Sequence, residues 1–471
     1  MEKFILSFLC LLVTLGVNAQ NKFFSQWTKD PVFSAASVGV LVCDIDKDSV
    51  LMAQNAFQNM ITASTMKLIT TAAGLKTLGP DYKFKTELHY SDTIINGELR
   101  GSIVIKGFGD PTLGSKYFVD DQKAFLKIWV EEIKKAGIKS IVGDIIADGS
   151  YFGISTTPYG WQWSDISNYY GSPVSGLNVF DNQYSIYFKT GKVDSASEIV
   201  KVEPFIPYLK LNNHVLASSK SGDNSYILGG PLEYAKQIEG TLPANSSSYE
   251  VKGSTPNPSL FLAYLLLEEL KKSDIKILGS YYSHLEKSIP SKTKNIYSQY
   301  SPALSEIAKT TNKFSINFFA ECIGLEVQKT LGATTFSDAL EKCFGKEFGF
   351  NKNTIIDASG LSPSNTITPK NYYKVLRSMY LDKKLKNYFE SSLSVAGKDG
   401  TLKSFGAGKK FNTNFIGKSG YISTIRAYTG YLKTSKGKNL TVIVFVNHYT
   451  SDNSSVKNKI EDLIEYLYLN Y

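Results

Sequence analysis

The sequence predicts an α+β fold in which one antiparallel sheet packs against helices and a large strand-rich segment is inserted into the chain. Three observations predict it. Strand-like runs at 38–43 and 49–52 are joined by the turn Asp44-Ile45-Asp46-Lys47-Asp48 and followed at once by an apolar helical run over 64–78. Three more strand-like runs, at 414–421, 424–432 and 440–447, close the chain before a last helix at 456–467. Between these ends lies a stretch of many short strands, so the two opening and three closing strands make one sheet and the middle is the insertion.

The elements follow in order. Residues 1–19 carry one early lysine, Lys3, then a charge-free apolar run that ends Val17-Asn18-Ala19 before Gln20. That is the pattern of a secretory signal with small residues at its cleavage point, too short to span a bilayer. Cys10 lies inside the apolar run without the small residue before it that a lipoprotein signal needs, so no lipid anchor is expected. The expected location is exported, periplasmic or extracellular, with no later transmembrane segment. The helix over 64–78 is stopped by Gly79-Pro80. Strands are expected at 84–90, 98–106 and 140–147, with an amphipathic helix over 122–136 between the last two. Tyr159, Trp161, Trp163, Tyr169 and Tyr170 cluster, and a packed interface is a simpler reading for them than a glycan platform. Residues 182–251 are strand-rich, and helices are expected over 260–270, 303–310, 315–331, 336–344 and 369–379.

Composition bounds the function. With 471 residues, 42% hydrophobic and 20% charged, the chain can bury a sizeable core and has room for two or three domains. A formal charge of +9 suits anionic polymers outside the cytoplasm, but it serves solubility equally well, and no nucleic-acid partner is expected. Cys43, Cys322 and Cys343 remain after signal removal, an odd number, although Cys322 and Cys343 on consecutive predicted helices have the option of pairing. His89, His214, His284 and His448 have no metal-ligand spacing, and neither a metal nor a cofactor is expected.

Three short clusters carry the chemistry. In Ser64-Thr65-Met66-Lys67 the hydroxyl falls at a helix start, and the amine lies one turn later on the same face. A hydroxyl beside a base makes an activated nucleophile, and the helix start adds unpaired N–H groups. Ser-x-x-Lys recurs at Ser273, Ser291, Ser435 and Ser454, mostly in polar, loop-like surroundings, so the assignment needs support from elsewhere. Ser315-Ile316-Asn317 opens a long apolar helix, and Lys418-Ser419-Gly420 lies on a predicted strand. Ser451-Asp452-Asn453 and Lys220-Ser221-Gly222 repeat these patterns in polar segments, and Lys189-Thr190-Gly191 falls out of order in the inserted stretch.

The ordered trio resembles that of the penicillin-binding proteins and serine β-lactamases, whose signatures are Ser-x-x-Lys, Ser-x-Asn and Lys-Ser/Thr-Gly. The chain is most similar to the D-alanyl-D-alanine carboxypeptidase/endopeptidase branch of the penicillin-binding protein 4 type, the class C low-molecular-mass group. Gly107-Phe108-Gly109-Asp110-Pro111-Thr112-Leu113, Gly160-Trp161-Gln162-Trp163, Asp357-Ala358-Ser359-Gly360-Leu361-Ser362 and Ala396-Gly397-Lys398-Asp399-Gly400-Thr401-Leu402 fit that branch. So does the long span between Ser64 and Ser315. The resemblance implies a transpeptidase-like catalytic domain from 20–83 and 290–471. The inserted region, 84–289, is expected as two modules, 84–178 with 254–289 and 179–253.

The resemblance further implies a serine D-Ala-D-Ala carboxypeptidase, with endopeptidase action on peptidoglycan cross-links as a second activity and β-lactams as covalent inhibitors. Ser64 is then the acylated nucleophile, and Lys67 its base, with its pKa lowered by burial and by the cation of Lys418. Ser315 relays the proton to the leaving amine and Asn317 holds the substrate amide. Lys418 and Ser419 bind the terminal carboxylate, Gly420 leaves room beside the strand, and the N–H groups of Ser64 and Tyr421 hold the oxyanion. Ser419 stands where Thr is commoner, and Ala358 where Gly is frequent. Asp148, in Ala147-Asp148-Gly149-Ser150, matches a position that in relatives faces the amino end of the diaminopimelate side chain, although a turn-forming aspartate is the simpler account. Two other outcomes of the same fold stay open: a serine β-lactamase, and an inactive envelope-binding relative.

Overall fold

The computed structural model describes residues 22–154 and 157–471, so the expected signal over 1–19 lies outside the described residues. Both ends of the chain build one six-stranded sheet, in the order Ser49–Gln54, Ser37–Asp44, Asn439–Asn447, Ile425–Lys433, Phe415–Ile422, Ser394–Val395. Every pairing in it is antiparallel. The strands Ser37–Asp44 and Asn439–Asn447 are buried almost throughout because both faces are covered. Val40, Val42, Val442 and Val444 face a layer with the C-terminal helix Asn453–Asn470 and the short helix Lys22–Trp27. Leu41, Cys43, Ile443 and Phe445 alternate onto the opposite face, where the helices Met66–Leu78, Asn317–Thr330 and Pro369–Leu381 pack.

Two helices in that second layer approach closely at a glycine: a Cβ on Gly74 would lie 2.7 Å from Ile323 Cγ2, while one on Gly324, which faces the neighbouring loop, would lie 2.4 Å from Ala358 Cβ. This brings the first turn of Met66–Leu78 beside the first turn of Asn317–Thr330.

The inserted region has its own core, built around Trp129, Ile145, Phe188 and Phe261. The strands expected over 98–106 and 140–147 each break in two. Glu98–Leu99 and Ser140–Ile141 pair in a four-stranded sheet, whereas Ile103–Gly107 and Ile145–Asp148 pair in a five-stranded one. The corner is made by glycine: a Cβ on Gly143 would lie 2.4 Å from Gly101 O, and one on Gly101 would lie 2.1 Å from Ser91 O. The five-stranded sheet also takes in Lys294–Tyr300, which pairs with Lys85–Tyr90 and lies beyond the boundary expected at 289. Residues 183–254 add a three-stranded and a four-stranded sheet.

One further expectation changes, one open question is answered and two helices are added. Ser315 does not open the long helix: it stands in the left-handed region (φ 59°, ψ 41°) between Leu304–Phe314 and Asn317–Thr330. Cys322 and Cys343 do not pair; Cys43, Cys322 and Cys343 are all free thiols. The helices Lys22–Trp27 and Lys386–Ser392 were too short for periodicity to reveal. Among the described residues, none of the helices is long and apolar enough to cross a membrane.

The tight helix contact generates a prediction. Gly74→Val forces a branched side chain into Ile323, so stability should fall by roughly 1–3 kcal/mol in denaturant unfolding, whereas Gly230→Val, whose Cβ meets only Glu233 at 3.7 and 3.8 Å, should cost less.

Candidate active site

Ser64 lies in a single 3₁₀ turn, Ala63–Thr65, that feeds directly into the helix Met66–Leu78. The turn is forced. Ala63 has φ 43°, a left-handed conformation that costs an alanine energy and persists only where its surroundings impose it. Those surroundings are identifiable: Asn447 Nδ2 donates to Ile61 O at 3.1 Å, and its Oδ1 accepts from Ile61 N at 2.8 Å. On the other side Gly360, at φ 79°, presses so close that a Cβ there would lie 1.9 Å from Ala63 O.

Lys67 is fully buried, and its Nζ has three partners. Ser64 Oγ is at 2.9 Å, Asn317 Oδ1 at 2.5 Å and the carbonyl oxygen of Ser359 at 2.7 Å. Burial pushes the amine down from its ordinary range to about 7, although the carboxylates of Asp357 and Glu321 pull the other way. Lys418 is itself held well below its ordinary value, first by burial and then by the charge of Lys67.

Asn317 is oriented from outside the catalytic layer. Its Nδ2 donates to the carbonyl oxygen of Tyr170, in the inserted region, at 2.8 Å, which leaves Oδ1 facing Lys67. Glu321, one turn further along the same helix, accepts the backbone N–H groups of Ala358 and Ser359 at 3.2 and 2.8 Å. Those bonds present the Ser359 carbonyl to Lys67. Glu321 is pushed up to about 8, by burial first and by Asp357 second. Asp357 in turn accepts from Gly360 N at 2.6 Å, Ser362 N at 2.7 Å and Trp161 Nε1 at 2.9 Å. Trp161 is thus a packed interface residue, whereas Tyr159 and Trp163 of the same cluster are exposed.

The third cluster meets the first along the strand Phe415–Ile422. A Cβ on Gly420 would lie 2.8 Å from Thr62 O and 3.1 Å from Ser64 N, so its space is taken by the Ser64 turn and not left open for a substrate as expected. Lys418 is fully buried; its Nζ donates to Ser419 O at 2.8 Å and lies 3.5 Å from Thr401 Oγ1. Ser419 Oγ lies 3.4 Å from Thr401 O. Tyr421 turns an exposed ring outward beneath the guanidinium of Arg426, 4.7 Å from its centroid.

Among the residues expected in the site, Ser64, Lys67 and Asn317 are in direct contact, and Gly420 abuts them. Ser315 stands with Asn317 on the wall of one cavity. Asp148 serves a local turn: its Oδ1 accepts from Ser150 N at 3.0 Å and Ser150 Oγ at 2.6 Å. Sequence reasoning gave Glu321, Asp357, Ser359, Thr401 and Tyr170 no part in the site, and read Tyr170 only as a packed interface residue. Glu321 carried a usable signal, since it follows Asn317 by four positions within an otherwise apolar helical stretch. The carbonyls of Ser359 and Tyr170 carried none, because backbone groups have no sequence signature.

The comparison with known proteins fits this geometry. Residues 20–467 match the D-Ala-D-Ala carboxypeptidase 3 (S13) family. The chain belongs to that family. As an S13 member it is a serine D-Ala-D-Ala carboxypeptidase. It is 24% identical to the D-alanyl-D-alanine carboxypeptidase DacB of Haemophilus influenzae, over 92% of this chain and 89% of the relative. It is 25% identical to the D-alanyl-D-alanine carboxypeptidase of an Actinomadura species, over 89% and 79% respectively. The crystal structure of penicillin binding protein 4 from H. influenzae superposes with a TM-score of 0.82 at 22% identity, covering 94% of this S13 chain and 99% of that one. The fold is therefore the penicillin-binding one that the sequence implied.

Glu321→Ala removes the acceptor for two buried N–H groups, each costing roughly 1–3 kcal/mol when left unpaired. Thermal melting should fall accordingly, and release of D-alanine from a D-Ala-D-Ala peptide should slow because the Ser359 carbonyl loses its anchor; Glu321→Gln, which keeps one acceptor, should lose less of both.

Proposed function

We propose that this S13 enzyme removes the terminal D-alanine of peptidoglycan stem peptides through an acyl-enzyme on Ser64, and also cleaves cross-links as an endopeptidase. The observation that carries the reading is the set of partners around Lys67 Nζ. Two of them, Asn317 Oδ1 and Ser359 O, are pure acceptors, and the third is a hydroxyl. A neutral amine has two N–H donors and one lone pair. Burial favours that neutral form, and once the two acceptors have taken its donors the lone pair is left for the Ser64 proton.

In the proposed cycle Lys67 takes that proton as Ser64 Oγ bonds to the carbonyl carbon between the two D-alanines. The resulting oxyanion lies between the N–H groups of Ser64 and Tyr421, a contribution of roughly 3 kcal/mol per donor in other enzymes. Collapse breaks the C–N bond as Lys67 returns that proton, by way of the Ser315 hydroxyl, to the leaving amine and is neutral again. Water then opens the acyl-enzyme as Lys67 accepts a proton from it and returns that proton to Ser64 Oγ. Asn317 holds the substrate amide, while Lys418 and Ser419, with Thr401 beside them, bind the terminal carboxylate. Binding to penicillin follows from the same acylation, and the H. influenzae penicillin binding protein 4 has also been solved with a β-lactam bound. Export to the periplasm or exterior would place the enzyme with this substrate. We assign the catalytic unit to both chain ends and the region from 84 to about the Lys294–Tyr300 strand to the insertion. Asp148 is left to its turn.

Two outcomes test the reading. Ser64→Ala should abolish both covalent labelling by penicillin and release of D-alanine from purified muropeptides read by mass; labelling that survived would end the proposal. The rate of Ser64 acylation should rise as pH increases through about 7, because the Lys67 ammonium is protonated and inert below that value and a free base above it. A rate independent of pH between roughly 5 and 9 would exclude Lys67 as the base.

A further inference from the structure

The segment that brings Trp161 and Tyr170 to the catalytic contacts also leaves rings in solvent. Tyr159 is fully exposed and Trp163 is 61% exposed, although the other three tryptophans, Trp27, Trp129 and Trp161, are buried. Tyr169, 46% exposed, lines a cavity of about 250 Å³ whose wall also holds Ser315 and Asn317. Tyr226, 50% exposed, stands on the strand Asn224–Leu228, which Asn168 ties to the segment by accepting from Ile227 N at 3.2 Å. One exposed ring means little, but these four belong to a single stretch and the strand bound to it.

The backbone beneath these rings is fixed. A Cβ on Gly160 would lie 2.4 Å from Ser362 Oγ, and Trp161 Nε1 donates to Asp357, so the catalytic loop grips the segment between Tyr159 and Trp163. Trp163 opens the short helix Trp163–Ile166, and Asn168 Nδ2 donates back to Ser164 O at 2.6 Å. Rings carried on an ordered backbone have little freedom left to lose when a ligand covers them. The surroundings are also nearly free of charge. In a chain that is 20% charged, residues 153–180 hold one charged side chain, Asp165, and Tyr170 hydrogen-bonds to it. Between the exposed rings stand the neutral polar side chains of Gln162 and Ser164.

We propose that this aromatic track binds the glycan strand from which the stem peptide hangs. The proposal rests on the carboxypeptidase reading above and names a second part of the same polymer as a ligand. A pyranose has an apolar face of C–H bonds and an edge of hydroxyls; the electron-rich face of an aromatic ring attracts the first, and neutral amides and hydroxyls bond the second. A sugar chain without charge calls for no ion pair, and the segment offers none. The distance also fits. A stem peptide of a few residues, at ~3.5 Å each, puts its sugar roughly 10–20 Å from the scissile bond. Trp163 lies seven residues before Tyr170, whose carbonyl accepts from Asn317, and with the first turn helical the two are at most about 20 Å apart. A strand tied covalently to a peptide seated at Ser64 meets the track at high effective concentration, which favours it over a protein partner.

Two substrates of one reaction give the test. Full-length protein should release D-alanine from a purified tetrasaccharide muropeptide with a KM about tenfold below that for the same stem peptide stripped of its sugars, at equal kcat. Tyr159→Ala and Trp163→Ala should each shrink that ratio about threefold, and together bring it close to one, while KM for the bare peptide stays where it was. Equal KM values for the two substrates in the parent protein would overturn the proposal. So would variants that raised both KM values by one factor, which would place the loss in the fold, or a double variant that kept the full ratio. Peptide-free glycan chains should also bind the Ser64→Ala protein in calorimetry and lose about tenfold in affinity when both rings are removed; no binding would sink the idea. That measurement needs no turnover, so its failure is distinguishable from failure of the carboxypeptidase reading.

Discussion

A lysine nitrogen shut off from water must have its polar valences met by the protein, because an unpaired one costs kilocalories in a medium of low dielectric. Lys67 is in that position, and much of the structure around it follows. Its three partners come from three remote parts of the chain: the turn at Ser64, the helix start at Asn317 and the loop at Ser359. The two partners that only accept suit the amine in either protonation state, and it is burial that favours the neutral one. The carboxylates of Asp357 and Glu321 oppose this, and the balance falls near neutrality, where a base is most useful.

Holding those three segments together leaves little slack. The Ser64 turn is wedged between Gly420 on the sheet and Gly360 on the loop, each at a distance that a side chain would close. The strain at Ala63 is sustained by this wedge and by Asn447, which fixes Ile61 through both atoms of its amide. Buried acids do the same work on the loop side: Glu321 and Asp357 collect N–H groups that a loop would otherwise expose. Electrostatics and loop geometry at the site are therefore the same set of bonds.

The inserted region is part of this set. Trp161 donates to Asp357 and the Tyr170 carbonyl fixes the amide of Asn317, so residues far from the catalytic motifs decide which way that amide faces. The loop bearing Tyr170 is anchored in turn to the outer strands: Asn168 exchanges bonds with Ile227, and Ser167 Oγ contacts Gly229 O and the buried Lys236. Distant strands thus stand behind the geometry of Asn317 through a short chain of contacts.

The sequence by itself determined the sheet formed from both chain ends, the large insertion, and the three clusters at Ser64, Ser315 and Lys418. Strand alternation, helical periodicity and the spacing of side-chain motifs are local properties, and local properties can be read from a string of residues. It also fixed the order of the clusters, which is what excluded the decoys. Only the tertiary structure decided that Ser315 caps one helix instead of opening the next, that Gly101 and Gly143 turn two long strands into four short ones, and that Gly420 makes room for the nucleophile's turn. It alone supplied the carbonyls of Ser359 and Tyr170 and the buried acids. These depend on which groups lose access to water together, and burial is settled by the packing of segments hundreds of residues apart.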